Sequence, residues 1–288
     1  MSWRPIVVGV DESDEAVHAA ALAVRLAEAA GASCHLVTAI PDAWAATTVT
    51  DIPFDVAAFN RETEITRREV VADALRGHVP DDMITALHSQ LGRPAVVLED
   101  FASKVGAGLV ILGGRHHSPL ARLLSDSTAR HVLRKHDIPV LITGPGDSFG
   151  TKVLCSVDLS FAARPTLEWG QELASVLGAE LRVVHVVEPV PIAASLPAVP
   201  TEELVESATD RLEKEVWPAI EYPNTDRSVH FGAIVDVIEN EVRTWGADLV
   251  VMGSHGKGWV DRMLLGSTTE RLLSHLPTSM LVIPSSPG

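Results

Sequence analysis

The sequence has little that would tie it to an oxidising compartment, a membrane or a nucleic acid. Two cysteines in 288 residues, Cys34 and Cys155, make no disulfide framework. Both lie in or beside apolar strand-like runs, so reduced, buried thiols are expected. No apolar run approaches the ~18–20 residues of a membrane-spanning helix. Met1-Ser2-Trp3-Arg4-Pro5 leads straight into a strand-like run without a cleavable leader pattern, and a cytoplasmic location is expected. Basic residues are scarce: 23 Lys and Arg stand against 38 Asp and Glu, a net charge of −15. That excess of acid argues against nonspecific binding to nucleic acid or an anionic membrane, both of which need clustered cations. It does not exclude an anionic ligand, because local backbone dipoles decide that.

What is present is a globular composition, 46% hydrophobic and 21% charged, on a length that suggests about two domains. Apolar runs at 5–10, 34–40, 83–90, 109–112 and 139–142 alternate with helical patterns. Such alternation predicts an α/β fold, a parallel sheet with helices on both faces. Ser13 is placed to cap the first helix, with Asp14 and Glu15 in its first turn and Gly31 as its stop.

After the Gly- and Pro-rich stretch 144–150 the pattern starts again. Val153 to Val157 followed by Asp158-Leu159-Ser160 matches Val7 to Val10 followed by Asp11-Glu12-Ser13. Gly246-Ala247-Asp248-Leu249-Val250 matches Gly106-Ala107-Gly108-Leu109-Val110 at an offset of 246 − 106 = 140. The chain is an internal duplication, with domains expected at 1–144 and 151–288. In the second copy, Thr201 is expected to cap a helix carrying Glu202 and Glu203, and Ser228 to Phe231 to form a strand.

The most informative stretch follows Leu249 to Met252. It reads G-x2-G-x9-G-[ST], with Gly253, Gly256 and Gly266 followed by Ser267 and Thr268. A strand that feeds a glycine-rich loop and then a helix start gathers backbone N–H groups around phosphate. The spacing is neither that of a P-loop nor G-x-G-x-x-G.

These residues, with V-G-V-D-E-S at 8–13 and S-V-D-L-S at 156–160, resemble the universal stress protein family in its tandem two-domain form. The resemblance covers essentially the whole chain. It implies two five-stranded, doubly wound parallel sheets of order 3-2-1-4-5, of the adenine nucleotide alpha-hydrolase-like kind, packed as a pseudo-dimer. It further implies an ATP-binding, nucleotide-responsive regulator of stress or dormancy, with Mg²⁺ accompanying the nucleotide and with whole chains as homodimers. Carried over residue by residue, Asp158 would sit at the nucleoside end and Val186 would border the adenine. Gly253 and Gly256 would let the loop approach phosphate, and Gly266, Ser267 and Thr268 would hold it at a helix N-terminus. A slow ATP hydrolase or nucleotidyl enzyme, and a ligand-independent scaffold, stay open as alternatives; no nucleophile–base–acid set can be assembled from the sequence.

The matching stretch of the first copy is degenerate. Asp11, Gly113, Ser127 and Thr128 persist, but Ala39 stands for Val186, His116 for Gly256 and Asp126 for Gly266. A carboxylate ~4 Å from a phosphate charge is repelled by ~4 kcal/mol at an effective dielectric of ~20, before water and Mg²⁺ reduce it. The second copy is therefore expected to bind ATP and the first weakly or not at all. His116, His117, His131 and His136 accompany no recognisable metal-ligand spacing and are expected on solvated loops and helices. The charged helices with Arg61, Glu62, Glu64, Arg67, Arg68 and Glu69, and with Glu202, Glu203, Glu206, Asp210, Arg211 and Glu213, are expected as solvated faces. Trp44 and Trp217 are expected to pack against their own domains.

Overall fold

A computed structural model describes residues 5–40, 56–114, 128–129, 131–133, 138–144, 150–189, 200–254, 265–275 and 277–284. Contacts divide the chain into two compact units, residues 2–143 and 144–288, the latter with Met1.

The first unit begins with β1 (Ile6–Gly9), α1 (Asp14–Ala30), β2 (Cys34–Ile40), α2 (Val56–Leu75) and α3 (Asp81–Thr85). It continues with β3 (His88–Leu91), α4 (Pro94–Val105), β4 (Leu109–Gly113) and β5 (Val140–Thr143). The strands are parallel in the order β3-β2-β1-β4-β5. Residues 128–129 and 131–133 are helical. Ile6, Val7 and Val8 are fully buried, as expected of a central strand covered on both faces. Small side chains on α1, including Ala19, Ala20 and Ala23, bring that helix close to the sheet.

The second unit repeats the plan with β6 (Lys152–Ser156), α5 (Ala163–Leu177), β7 (Glu180–Val187), α6 (Thr201–Glu215) and β8 (Asp226–Phe231). Then come α7 (Ile234–Trp245), β9 (Leu249–Gly253), α8 (Ser267–His275) and β10 (Ser279–Ile283). Its order is β8-β7-β6-β9-β10, again parallel. Gly31 and Gly178 both end their helices in the left-handed conformation, at φ 58° and 64°, which glycine adopts without a Cβ penalty.

Several local expectations are corrected. The strand expected over 83–90 is a short helix, α3, followed by the four-residue β3. Pro80 starts the turn, the Asp82 carboxylate accepts from the Met83 N–H at 3.0 Å, and Thr85 Oγ1 donates to the Asp81 carbonyl at 2.9 Å. Thr201 is not a cap: Pro200 holds the N-cap position and Thr201 is the first helical residue, without a side-chain capping bond. Trp217 lies on a 3₁₀ turn, Trp217–Ala219, after α6, and is buried in its own unit. Trp44 and the linker residues 145–149 fall outside the described residues.

Asp248 is a heavily bonded acid of the second unit. It is 5% exposed. Its carboxylate accepts from the N–H groups of Gly150 (3.0 Å), Thr151 (2.9 Å) and Lys152 (3.1 Å) and from Thr151 Oγ1 (2.5 Å). Its own N–H donates to the Lys152 carbonyl, as the N–H of its counterpart Gly108 donates to the Pro5 carbonyl. The backbone bond is common to both units; the carboxylate staple belongs to the second.

Cys155 is fully buried and Cys34 is half-buried, so the sequence expectation holds for the first more than for the second. Burial pushes both thiols up from 9.0 to about 12. An unfolded thiol ionises near pH 9 while the folded one stays protonated to about 12, so the unfolded state binds fewer protons in that window. Stability should therefore fall as pH rises from about 9 to about 12. At pH 8 the native chain should react slowly with Ellman's reagent and release two thiols per chain in guanidinium; rapid labelling of native Cys155 would contradict its burial.

Candidate functional site

In a doubly wound sheet the crevice for a ligand forms past the carboxyl ends of the strands, where connections leave in opposite directions. In the second unit that place lies between β6 and β9. A cavity of about 610 Å³ occupies it, within the ~300–1,000 Å³ range of small-molecule sites.

Asp158 follows β6 at the cavity wall. Its Oδ1 accepts from the Ser160 N–H at 3.0 Å and the Ser160 hydroxyl at 2.6 Å, an Asx turn that fixes the carboxylate. Its Oδ2 is buried and has no hydrogen-bond partner among the described residues. A buried carboxylate oxygen left in that state is costly, and a donor brought by a ligand removes the cost. Beside it, the buried His185 Nδ1 lies 2.9 Å from the Val157 carbonyl. A carbonyl only accepts, so this nitrogen carries the proton. Val186 and Val187 continue the wall, and Glu188 Oε1 accepts from the Ile234 N–H at 3.3 Å, tying the end of β7 to the start of α7.

The opposite wall is the end of β9 and the start of α8. Gly253, Gly266, Ser267 and Thr268 all line the cavity. The Gly266 N–H donates to the Ser254 carbonyl at 2.8 Å, and its carbonyl accepts from Glu270 N–H at 2.9 Å, which makes Gly266 the residue that opens the helix. Buried Thr269, which the sequence reading missed, donates its hydroxyl to the Gly253 carbonyl at 3.0 Å and pins the first helical turn to the strand end. The first-turn N–H groups of a helix lack intrahelical partners and carry the positive end of its dipole, a setting suited to an anion.

Six residues singled out from the sequence, Asp158, Val186, Gly253, Gly266, Ser267 and Thr268, thus share one cavity. Gly256 lies outside the described residues, as do His116, Asp126 and Ser127 of the first copy. One surface reading is corrected. Leu204, Ser207, Ala208 and Arg211 of α6 line the cavity, so this helix turns a face to the site while Glu202, Glu203, Glu206, Asp210 and Glu213 face solvent. Their i, i+3, i+4, i+7 spacing was legible, but the surrounding carboxylates masked it. Arg211 is held by Glu215 through two contacts of 3.2 Å.

In the first unit, Asp11 makes the same turn. Its Oδ1 accepts from the Ser13 N–H at 3.0 Å and from the Ser13 hydroxyl, while Ser13 caps α1 by accepting from Ala16 N–H at 3.3 Å. Ala39 lies half-buried in β2, and Thr128 is half-buried at a helical position. Gly113 has a packing reason to be glycine. A Cβ there would come within 2.7 Å of the Glu15 carbonyl carbon, so the backbone of α1 itself makes the close approach. The solvated-face expectation also fails for part of α2: Arg67 pairs with Glu12, Arg68 donates to the Thr85 carbonyl at 2.8 Å, and Glu64 accepts from Ser89 at 3.0 Å. His131 lies half-buried, 3.5 Å from Glu99. Among the described residues no group of three or more potential metal ligands stands together, and no helix is long and apolar enough to cross a membrane.

Comparison with known proteins agrees with this architecture. The family model described as "Universal stress protein family" matches twice, over residues 2–144 and 151–284. A universal stress protein of Mycolicibacterium smegmatis is 28% identical over 294 residues, covering 96% of each chain. Among solved structures, a universal stress protein from Archaeoglobus fulgidus superposes with a TM-score of 0.69 at 20% identity, covering 99% of this chain and 100% of the other. A putative universal stress protein from Pseudomonas aeruginosa reaches 0.62 at 17% identity, covering 98% and 94%. At such identities the superpositions speak for the fold, and the family model, matched over both copies, carries the assignment: this chain belongs to the universal stress protein family, with one family domain in each half.

Proposed function

We propose that the second half binds one molecule of ATP per chain and that the bound nucleotide sets the conformational or partner state of a regulator of stress or dormancy. The observation that carries the reading is the pairing, along one cavity, of an unpartnered buried acceptor with a helix N-terminus. The Asp158 Oδ2 would accept from a ribose hydroxyl. The start of α8, with Ser267 and Thr268, would take the phosphates, and Val186 would border the base. Mg²⁺ is proposed only as an ion carried by the phosphates. Regulation would follow if ATP favours one state of the chain by differential affinity.

Equilibrium dialysis with ATP, alongside native mass spectrometry of the purified chain, tests this. One nucleotide per chain is expected. Asp158→Ala should weaken binding roughly 10- to 100-fold, the range for a hydrogen bond to a charged group. Two equal tight sites per chain, or none, would sink the proposal.

A further inference from the structure

The two copies differ at a pair of positions away from the glycine motif. The burial pattern of α2 and the residues just after it superposes on that of α6 and its C-cap at a constant offset: Val71, Leu75 and Val79 are buried where Ala208, Leu212 and Val216 are buried, with 208 − 71 = 137. At that offset Arg67 corresponds to Leu204. The Asx turns set a second equivalence: Asp11 and Ser13 match Asp158 and Ser160, so Glu12 corresponds to Leu159. In the second unit Leu159 and Leu204 are half-buried and both line the cavity, one from the turn after β6 and the other from α6. In the first unit the same two positions hold an ion pair. Arg67 Nη1 donates to Glu12 Oε1 at 2.8 Å and Nη2 to Oε2 at 2.6 Å, a two-pronged fork between residues 55 apart in sequence. The Arg67 Nε is buried, while the side chains of Arg67 and Glu12 remain 34% and 44% exposed.

We infer that Glu12 and Arg67 form a clasp between α2 and the turn after β1, at the positions where, in the second half, Leu159 and Leu204 form apolar jaws that grip the flat face of a ligand's base. This rests on the reading of the second-half cavity as a nucleotide site. Two half-buried leucines offer a base apolar surface that its stacking would finish burying. A fork-paired Glu and Arg offer two charges that a base would have to strip of water, and their mutual bonds hold helix and turn together without a ligand. The first half would then be closed to nucleotide by its own side chains, independently of the residues in its degenerate motif.

Two arms test this in the full chain, and the first needs no ligand. Hydrogen–deuterium exchange of the α2 amides from Arg68 to Leu75 should quicken roughly 2- to 5-fold in Glu12→Gln, the range for releasing a partly exposed ion pair. Unchanged exchange would overturn the clasp. In the second arm, the double variant Leu159→Glu, Leu204→Arg transplants the pair into the second half, with circular dichroism and the thermal midpoint checking the fold. Its ATP affinity by equilibrium dialysis should drop at least about tenfold below that of Leu159→Met, Leu204→Met, which keeps the apolar surface. A folded charged variant that binds ATP like the unaltered chain would overturn the jaws. If the unaltered chain binds no ATP, the second-half reading fails, and with it the jaws, while the exchange arm still decides the clasp.

Discussion

Gly266→Asp should lower ATP affinity at least about 100-fold, or about 2.7 kcal/mol, while leaving the thermal midpoint unchanged or slightly higher. The two effects separate because of where Gly266 sits. Its carbonyl already accepts the first intrahelical bond of α8, from Glu270 N–H. Asp is a favoured residue at such a position, with a carboxylate that accepts from the free N–H groups of the first turn, and it exceeds Gly there by a few tenths of a kcal/mol. The variant would stabilise the helix with a built-in anion and thereby occupy the donors that phosphate needs. Gly266→Asn supplies similar bulk and capping without charge, and an Asn variant should bind at least about tenfold better than the Asp variant. Equal loss in both would show that bulk, not charge, excludes the nucleotide; retained affinity in Gly266→Asp would remove α8 from the site.

Asp248→Ala should cost the second half about 3–5 kcal/mol, large against the ~5–15 kcal/mol total stability of a typical domain. The carboxylate gathers three consecutive backbone N–H groups, from Gly150, Thr151 and Lys152, and a hydroxyl. Truncation removes a buried charge together with its bonds, and it leaves donors at the start of β6 without acceptors. Water entering the gap would recover part of that loss. Asp248→Asn should fall between, since its amide nitrogen faces donors and cannot accept. Urea unfolding followed by tryptophan fluorescence reads the effect: Trp169, Trp217 and Trp245 report on the second half. A loss below about 1 kcal/mol would mean the staple is not a structural centre. The first half has Gly108 at this position and offers the internal comparison.

The sequence made the duplication and the layer architecture legible because both depend on short-range pattern: apolar runs, glycine stops and an offset of 140 between matching motifs. The strand order needed the family resemblance, since parallel strands carry no local signal of which neighbour they join. Two classes of feature escaped. Pro80 and Pro200 each lead into a helix with acids in its first turn, a start signal that outweighs the strand-like pattern at 83–90 and the capping preference of Thr201. The other class was the partners of charged side chains. Nothing in the local pattern around Arg67 points to Glu12, 55 residues away, and nothing around Asp248 points to Thr151. On α6, the apolar and small residues at 204, 207 and 208 held the correct helical spacing, but six carboxylates on the same helix made the whole element look like surface.

One edge strand of each half has a bearing on colloidal behaviour. Among the described residues β3 and β8 each pair with a single neighbour in their own half, so each leaves a line of peptide groups unmatched. Such an edge is a template for adding strands from other molecules. Here β3 is only four residues long and reads His-Ser-Gln-Leu, and β8 opens with the exposed charges Asp226 and Arg227. The strands they flank, β2 and β7, are richer in valine and leucine. A short, polar or charged strand at that edge of each half makes the addition of a further strand there unfavourable.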